Sequence, residues 1–139
     1  MPKIDLNHSG LHLVFRPYEA HTMERLWADR EGEEKGYGSG RMWVEVNEDL
    51  DPETISRASV IFFLNRLVDQ KVCDWKDKTG KGGHHRIYHI TMDREGYWRW
   101  LTKMTIEKLV EASEVHIKEL LPVYEDGKGL LQGWWHTTG

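Results

Sequence analysis

The stretch TISRASVIFFLNRLVDQKVCDWKDKTGKGGHHRIYHITM, residues 54–92, decides how this chain folds. Its first part predicts a helix over 54–70, with an inward stripe of Ile55, Val60, Phe63, Leu64, Leu67 and Val68. Its second part predicts strands over 72–78 and 86–92, joined through Thr79-Gly80-Lys81-Gly82-Gly83, a glycine-rich tip of the kind that closes hairpins. Upstream, Pro17 suits the first turn of a helix, and Tyr18, Met23, Leu26 and Trp27 follow at near-helical spacing toward Asp29. A second short helix is expected over 42–50, capped by Ser39 and facing inward with Trp43, Val46 and Leu50, before Asp51-Pro52 punctuates the chain. Downstream, a long helix is expected from Asp93 to about Leu121, ended by Pro122. The charged, glycine-rich run 30–40 reads as an exposed loop. Residues 1–16 read as an irregular arm with a short strand from Leu11 to Phe15.

Helix, helix, helix, strand, glycine hairpin, strand, helix is the order of a winged helix-turn-helix. The expected fold is therefore α+β and mainly helical, with a two-stranded wing and a long C-terminal dimerisation helix. Three parts follow: an N-terminal arm (1–16), a winged DNA-binding domain (17–92), and a C-terminal helix and tail for dimerisation (93–139). The long helix carries more apolar surface than one small domain covers. Trp98, Leu101, Ile106, Leu109, Val110, Ile117 and Leu120 are its candidate dimer contacts.

The chain carries a net −4, which argues against an anionic partner until the charge is mapped. Residues 54–86 hold seven Lys/Arg against three Asp/Glu, a net +4, whereas the remainder holds twelve against twenty, a net −8. A basic segment in an acidic body can hold an anion while the body keeps the molecule in solution. A helix 10–12 Å across fits the DNA major groove, and a basic hairpin beside it can reach the phosphates. On that reading helix 54–70 is the reader and 74–88 the wing. Ser56, Arg57, Ser59, Phe62, Asn65 and Arg66 become candidate contacts from the helix. Lys76, Lys78, Lys81, His84, His85 and Arg86 become candidate phosphate contacts from the wing.

Three motifs carry a family resemblance. Glu19, Met23, Leu26 and Trp27 in the first helix look like the opening helix of the penicillinase-repressor family, which includes β-lactamase, methicillin-resistance and copper-responsive repressors. Ser59-Val60-Ile61-Phe62-Phe63-Leu64-Asn65-Arg66-Leu67-Val68 is similar to that family's Thr-Val-x-x-x-Leu-x-Arg-Leu-Val, and Arg86-Ile87-Tyr88-His89-Ile90 resembles its returning wing strand. Regulators of the multiple-antibiotic-resistance and phenolic-acid types share the last two motifs. The resemblance spans about residues 17–115. It implies a homodimeric transcriptional repressor on a palindromic operator, released by an inducing signal, with double-stranded DNA and a second copy as partners. The copper-responsive members carry Cys-x-Cys pairs, which this chain lacks. Ile61 and Phe62 stand where similar reader helices are often small or polar. An apolar side chain there can touch thymine methyls or cover protein surface, so a winged-helix adaptor that binds protein and not DNA is the alternative reading.

Other chemistry finds little support. Cys73 is the single cysteine, which excludes an internal disulfide and predicts a reducing cytoplasm and a core role for that side chain. His84, His85 and His89 lie near Cys73 on adjacent strands, but successive strand residues face opposite sides, so no metal site is expected. There is no phosphate loop, no His-Glu-x-x-His and no nucleophile elbow, so no cofactor and no enzymatic activity are expected. No apolar run reaches the roughly 20 residues of a membrane helix, and the N-terminus lacks an apolar signal core.

Overall fold

A buried carboxylate and a proline start the first helix in the computed structural model of the chain, which describes residues 2–80 and 83–113. Pro17 occupies the first turn of α1 (Pro17–Glu31), where its fixed φ is already helical and its missing N–H costs nothing. Glu19, two residues on, accepts the Arg16 backbone N–H at 2.8 Å. Ala20, Met23, Leu26 and Trp27 form the inward stripe of α1.

The remaining elements are β1 (Tyr37–Gly38), α2 (Ser39–Leu50), α3 (Arg57–Asp69), β2 (Cys73–Gly80), β3 (Gly83–Ile90) and α4 (Arg94–Ser113). The three strands make one antiparallel sheet in the order β1-β3-β2. Among the described residues, four α-helices and a three-stranded antiparallel sheet in this order form an α+β arrangement of winged-helix type. Its core combines Met23, Leu26 and Trp27 of α1, Met42 and Val46 of α2, Val60, Phe63, Leu64 and Leu67 of α3, Val72 in the turn before β2, and Tyr88 and Ile90 of β3. The described residues divide into two compact units, the first ending at Arg94 and the second beginning at Glu95.

Several expectations shift. The wing strands belong to a three-stranded sheet, because Tyr37 and Gly38 pair with Tyr88 and Ile87 inside the stretch expected to be an exposed loop. Gly36 makes this possible: its φ is +77°, and a Cβ there would lie 2.5 Å from Ile87 Cγ2 and 2.6 Å from His89 Cε1. The expected strand at 11–15 is a 3-10 turn, Gly10–Leu13. Gly38, not Ser39, caps α2, which starts three residues earlier than expected. The helix expected over 54–70 starts at Arg57, with Ser56 as its cap: the Ser56 hydroxyl accepts the Ser59 N–H at 3.1 Å. The end of the expected 93–121 helix lies outside the described residues.

α3 stops through a Schellman turn. Val72 N–H returns to Leu67 C=O at 2.8 Å and Lys71 N–H to Val68 C=O at 2.9 Å, with Lys71 at φ +64°. A left-handed lysine is held there by its neighbours at a steric cost that glycine would not carry. Replacing Lys71 by Gly is expected to raise stability by about 0.5–1 kcal/mol, the steric relief exceeding the added unfolded-state entropy. Urea unfolding checks it: an unchanged or lower midpoint refutes the strain.

α1 and α2 are joined by an ion network. Arg25 donates to Asp49 Oδ1 at 2.6 Å and to Glu45 Oε1 at 2.9 Å, while Arg41 and the Tyr37 hydroxyl also donate to Glu45, at 2.6 and 2.7 Å. The hydrogen bond from Arg25 holds the Asp49 carboxyl below its usual range. Burial pushes Glu45 up, but Tyr37 and the two arginines outweigh it and its pKa is also lowered. A carboxylate lowered by folding stabilises the fold above its unfolded pKa, and that stability drains away as pH falls through the folded value. The unfolded values are about 3.9 and 4.3, so the loss begins near pH 4 and continues below it. Arg25→Met is expected to lower the urea midpoint at neutral pH and to flatten its fall below pH 4. Parallel pH curves for the two proteins would show that the network does not link protonation to folding.

Candidate nucleic-acid interface

The helical period fixes what α3 presents to solvent. Val60, Phe63, Leu64 and Leu67 face the core, so Ala58, Phe62, Asn65 and Asp69 fall on the opposite side, with Ile61 and Arg66 at its margins. Phe62 is 75% exposed. This face is therefore apolar at its centre and carries an acid near its end.

Of the reader-helix candidates, Ser56 and Ser59 share the cap, their hydroxyls 2.9 Å apart. The Arg57 guanidinium lies over Gly40 at the start of α2, where a Cβ would sit 3.3 Å from it. Arg66 turns back across the helix, pairs with buried Glu19 and stacks on Phe63 at 5.1 Å. Asn65 points to the wing: its carboxamide oxygen accepts the Tyr88 hydroxyl at 2.7 Å and an Arg86 N–H at 3.2 Å.

The strand register sorts the wing. Directly paired residues share a face, so Asp77 and Arg86 lie with Trp75, Tyr88, Thr79 and His84 on the α3 side. Lys78 and His85 lie with Lys76 and Ile87 on the other. Arg86 stacks on the Trp75 ring at 4.3 Å. The wing candidates are thus divided between two faces, and Lys81 lies outside the described residues. What the structure brings together is Asn65, Tyr88, Arg86 and Trp75. Tyr88 and Trp75 were not singled out from sequence as site residues; their period-2 alternation with Arg86 was the available signal.

In the second unit, α4 holds the Tyr97 ring 5.9 Å from Trp98 and 5.6 Å from Trp100. Among the candidate dimer contacts Leu101 is buried, Trp98, Ile106 and Val110 are half-buried, and Leu109 is 59% exposed. Ile117 and Leu120 lie outside the described residues. Cys73 is buried, and burial above all, with Asp74 beside it, pushes its thiol up to about 12. It stays protonated and unreactive at neutral pH. Among the described residues no group of three or more His, Cys, Asp or Glu is placed to hold a metal ion, and no helix is long and apolar enough to cross a membrane.

No family model and no curated protein matches the chain. Among solved structures, one described as a candidate transcriptional regulator from Thermoplasma acidophilum is similar at 15% identity and a TM-score of 0.44, covering 76% of this chain and 93% of that one.

The Asn65 junction can be measured directly. Asn65→Ala leaves the Tyr88 hydroxyl without that acceptor in a buried place and is expected to cost about 1–3 kcal/mol. Tyr88→Phe removes the donor as well as its need, at about 0.5–1.5 kcal/mol. The double variant should cost less than the two losses added together. Strict additivity in urea unfolding would show that the two side chains are not coupled.

Proposed function

We propose that the chain is a transcriptional regulator that binds double-stranded DNA through its winged-helix unit, as a homodimeric cytoplasmic repressor on a palindromic operator. The observation that carries the reading is the junction at Asn65. By accepting from Tyr88 and Arg86, Asn65 ties the exposed side of α3 to the hairpin, so helix and wing form one continuous surface. That is what a groove-reading helix and a phosphate-reading hairpin need in order to act together. The resemblance of the α1, α3 and β3 motifs to the penicillinase-repressor family supports the same reading.

On this proposal the first turn of α3, with Ser56, Arg57 and Ser59, meets base edges, and Phe62 meets a thymine methyl. Lys76, Lys78, Lys81, His84, His85 and Arg86 meet phosphates. Asn65 and Arg66 contribute mainly by holding the helix in place, since their polar ends are engaged within the protein. Trp98, Leu101, Ile106, Leu109, Val110, Ile117 and Leu120 supply the dimer contacts.

A second reading rests on Phe62. A largely exposed phenylalanine at the centre of the outward face, with Arg66 drawn away to Glu19, also suits a protein partner. Fluorescence anisotropy on duplex DNA across a salt series separates the two, with mass read by light scattering on the same sample. The expected result is a dimer whose affinity falls steeply with salt. Lys78→Ala should weaken all duplexes alike and reduce the salt slope by about one. Arg57→Ala should cost about 1–3 kcal/mol on the operator and less on random sequence. No binding at low salt refutes the DNA reading and leaves the protein-adaptor reading in its place.

A further inference from the structure

A carboxamide has one accepting end and one donating end, and its neighbours decide which end points where. The Arg86 guanidinium carries donors only, so the Asn65 atom 3.2 Å from it is the oxygen. The Tyr88 hydroxyl, on a ring that is 3% exposed, donates to the same oxygen at 2.7 Å. Arg86 is held in its turn by the Trp75 ring, 4.3 Å away. Both lone pairs of the Asn65 oxygen are thus taken within the protein. The amide cannot turn over without setting its N–H groups against donors.

The junction engages the oxygen end alone. Among the described residues nothing accepts from Asn65 Nδ2, and that nitrogen is not closed off from solvent. Asn65 lies on the face of α3 that carries exposed Phe62, one turn earlier. An asparagine free at both ends pairs with adenine, accepting from N6 and donating to N7. Asn65 has no acceptor left to offer, so its N–H groups would face the N6 amino group, donor against donor. In the major groove cytosine also presents a donor, whereas guanine presents two acceptors side by side, O6 and N7. Adenine and guanine share N7, so position 6 separates them.

We infer that Asn65 is a specificity-determining residue, a fixed donor that meets guanine O6 and rejects adenine. Tyr88 and Arg86 are the positioning residues that make it so. This role rests on the proposed binding of duplex DNA.

The test selects bound sequences from a randomised duplex pool with the full chain, with Asn65→Ala and with Tyr88→Phe/Arg86→Met. The selected duplex and its single-position variants are then titrated by anisotropy. One position is expected to favour guanine over adenine by about fivefold or more. Asn65→Ala should lose that preference. Tyr88→Phe/Arg86→Met, with the oxygen free again, should favour adenine there; its loss of a cation weakens all sequences alike and does not enter the ratio. The parent chain, 15N-labelled, supplies a reading that depends on no variant's folding: the Asn65 Nδ2 proton pair should shift on the guanine duplex and much less on its adenine counterpart. An adenine preference in the parent, a guanine preference that survives Asn65→Ala, or an unshifted Nδ2 pair overturns the role and leaves duplex binding standing. So does binding that selects no sequence. No binding of any duplex overturns the DNA reading and this role together.

Discussion

A carboxylate in a nearly closed place must find partners, and Glu19 finds two that organise the molecule. Its side chain is 7% exposed. One oxygen closes the first turn of α1 by accepting the Arg16 N–H, and the other draws Arg66 of α3 inward. Leaving either side unmet would strand charge out of water, at a cost greater than a surface pair ever returns. The start of α1 and the second half of α3 are therefore fixed to one another at this point. The arm that precedes α1 then lines a cavity with them. The same contact decides the chemistry of α3, because an arginine that serves Glu19 is withdrawn from the outward face.

With Arg66 withdrawn, the outward face of α3 has an apolar centre at Phe62, and the helix's other cation, Arg57, lies over Gly40 at the start of α2. The positive charge that a polyanion would meet is carried by the hairpin. There the strand period places Arg86 and Trp75 toward α3 and Lys76, Lys78 and His85 on the other face. Helix and hairpin can act as one surface only if the angle between them is held. Two hydrogen bonds converging on the Asn65 oxygen hold it, and the Trp75–Arg86 stack stiffens the strand side of the same junction.

The order of the elements was legible because α1, α3 and the hairpin carry strong periodic or turn signals. The helix 54–70 was placed to within three residues at its start, where Ser56 proved the cap and Thr54-Ile55 the approach. β1 was illegible for a physical reason: two residues, one of them glycine, cannot show alternation, and what makes the strand is a close approach at Gly36 that only the fold reveals. The turn at Gly10–Leu13 reads as a strand in sequence because Leu11 and Leu13 alternate with polar neighbours, a pattern that a single 3-10 turn also produces. Arg57, Asn65 and Arg66 were singled out as residue types that read bases. Their partners, Gly40, Tyr88 and Glu19, lie 17, 23 and 47 positions away in sequence, and no local pattern announces contacts at that range. Residue type showed what these side chains can do, and tertiary placement decides which of them are at liberty to do it.

The excess of acids looks less forbidding once their partners are counted. Glu19, Glu24, Glu45 and Asp49 each face an arginine within the first unit. A carboxylate neutralised at contact distance contributes a local dipole, and its field beyond about one Debye length, 8–10 Å in ordinary salt, is weak. The exposed cations of the wing have few such partners: among the described residues no carboxylate is within ion-pair distance of Lys76, Lys78 or Arg86. A phosphate strand would therefore meet the wing's charge largely uncancelled, while Glu19, Glu45 and Asp49 are engaged in holding α1, α2 and α3 together. The sign of the whole chain says little about the sign of the surface that would do the binding.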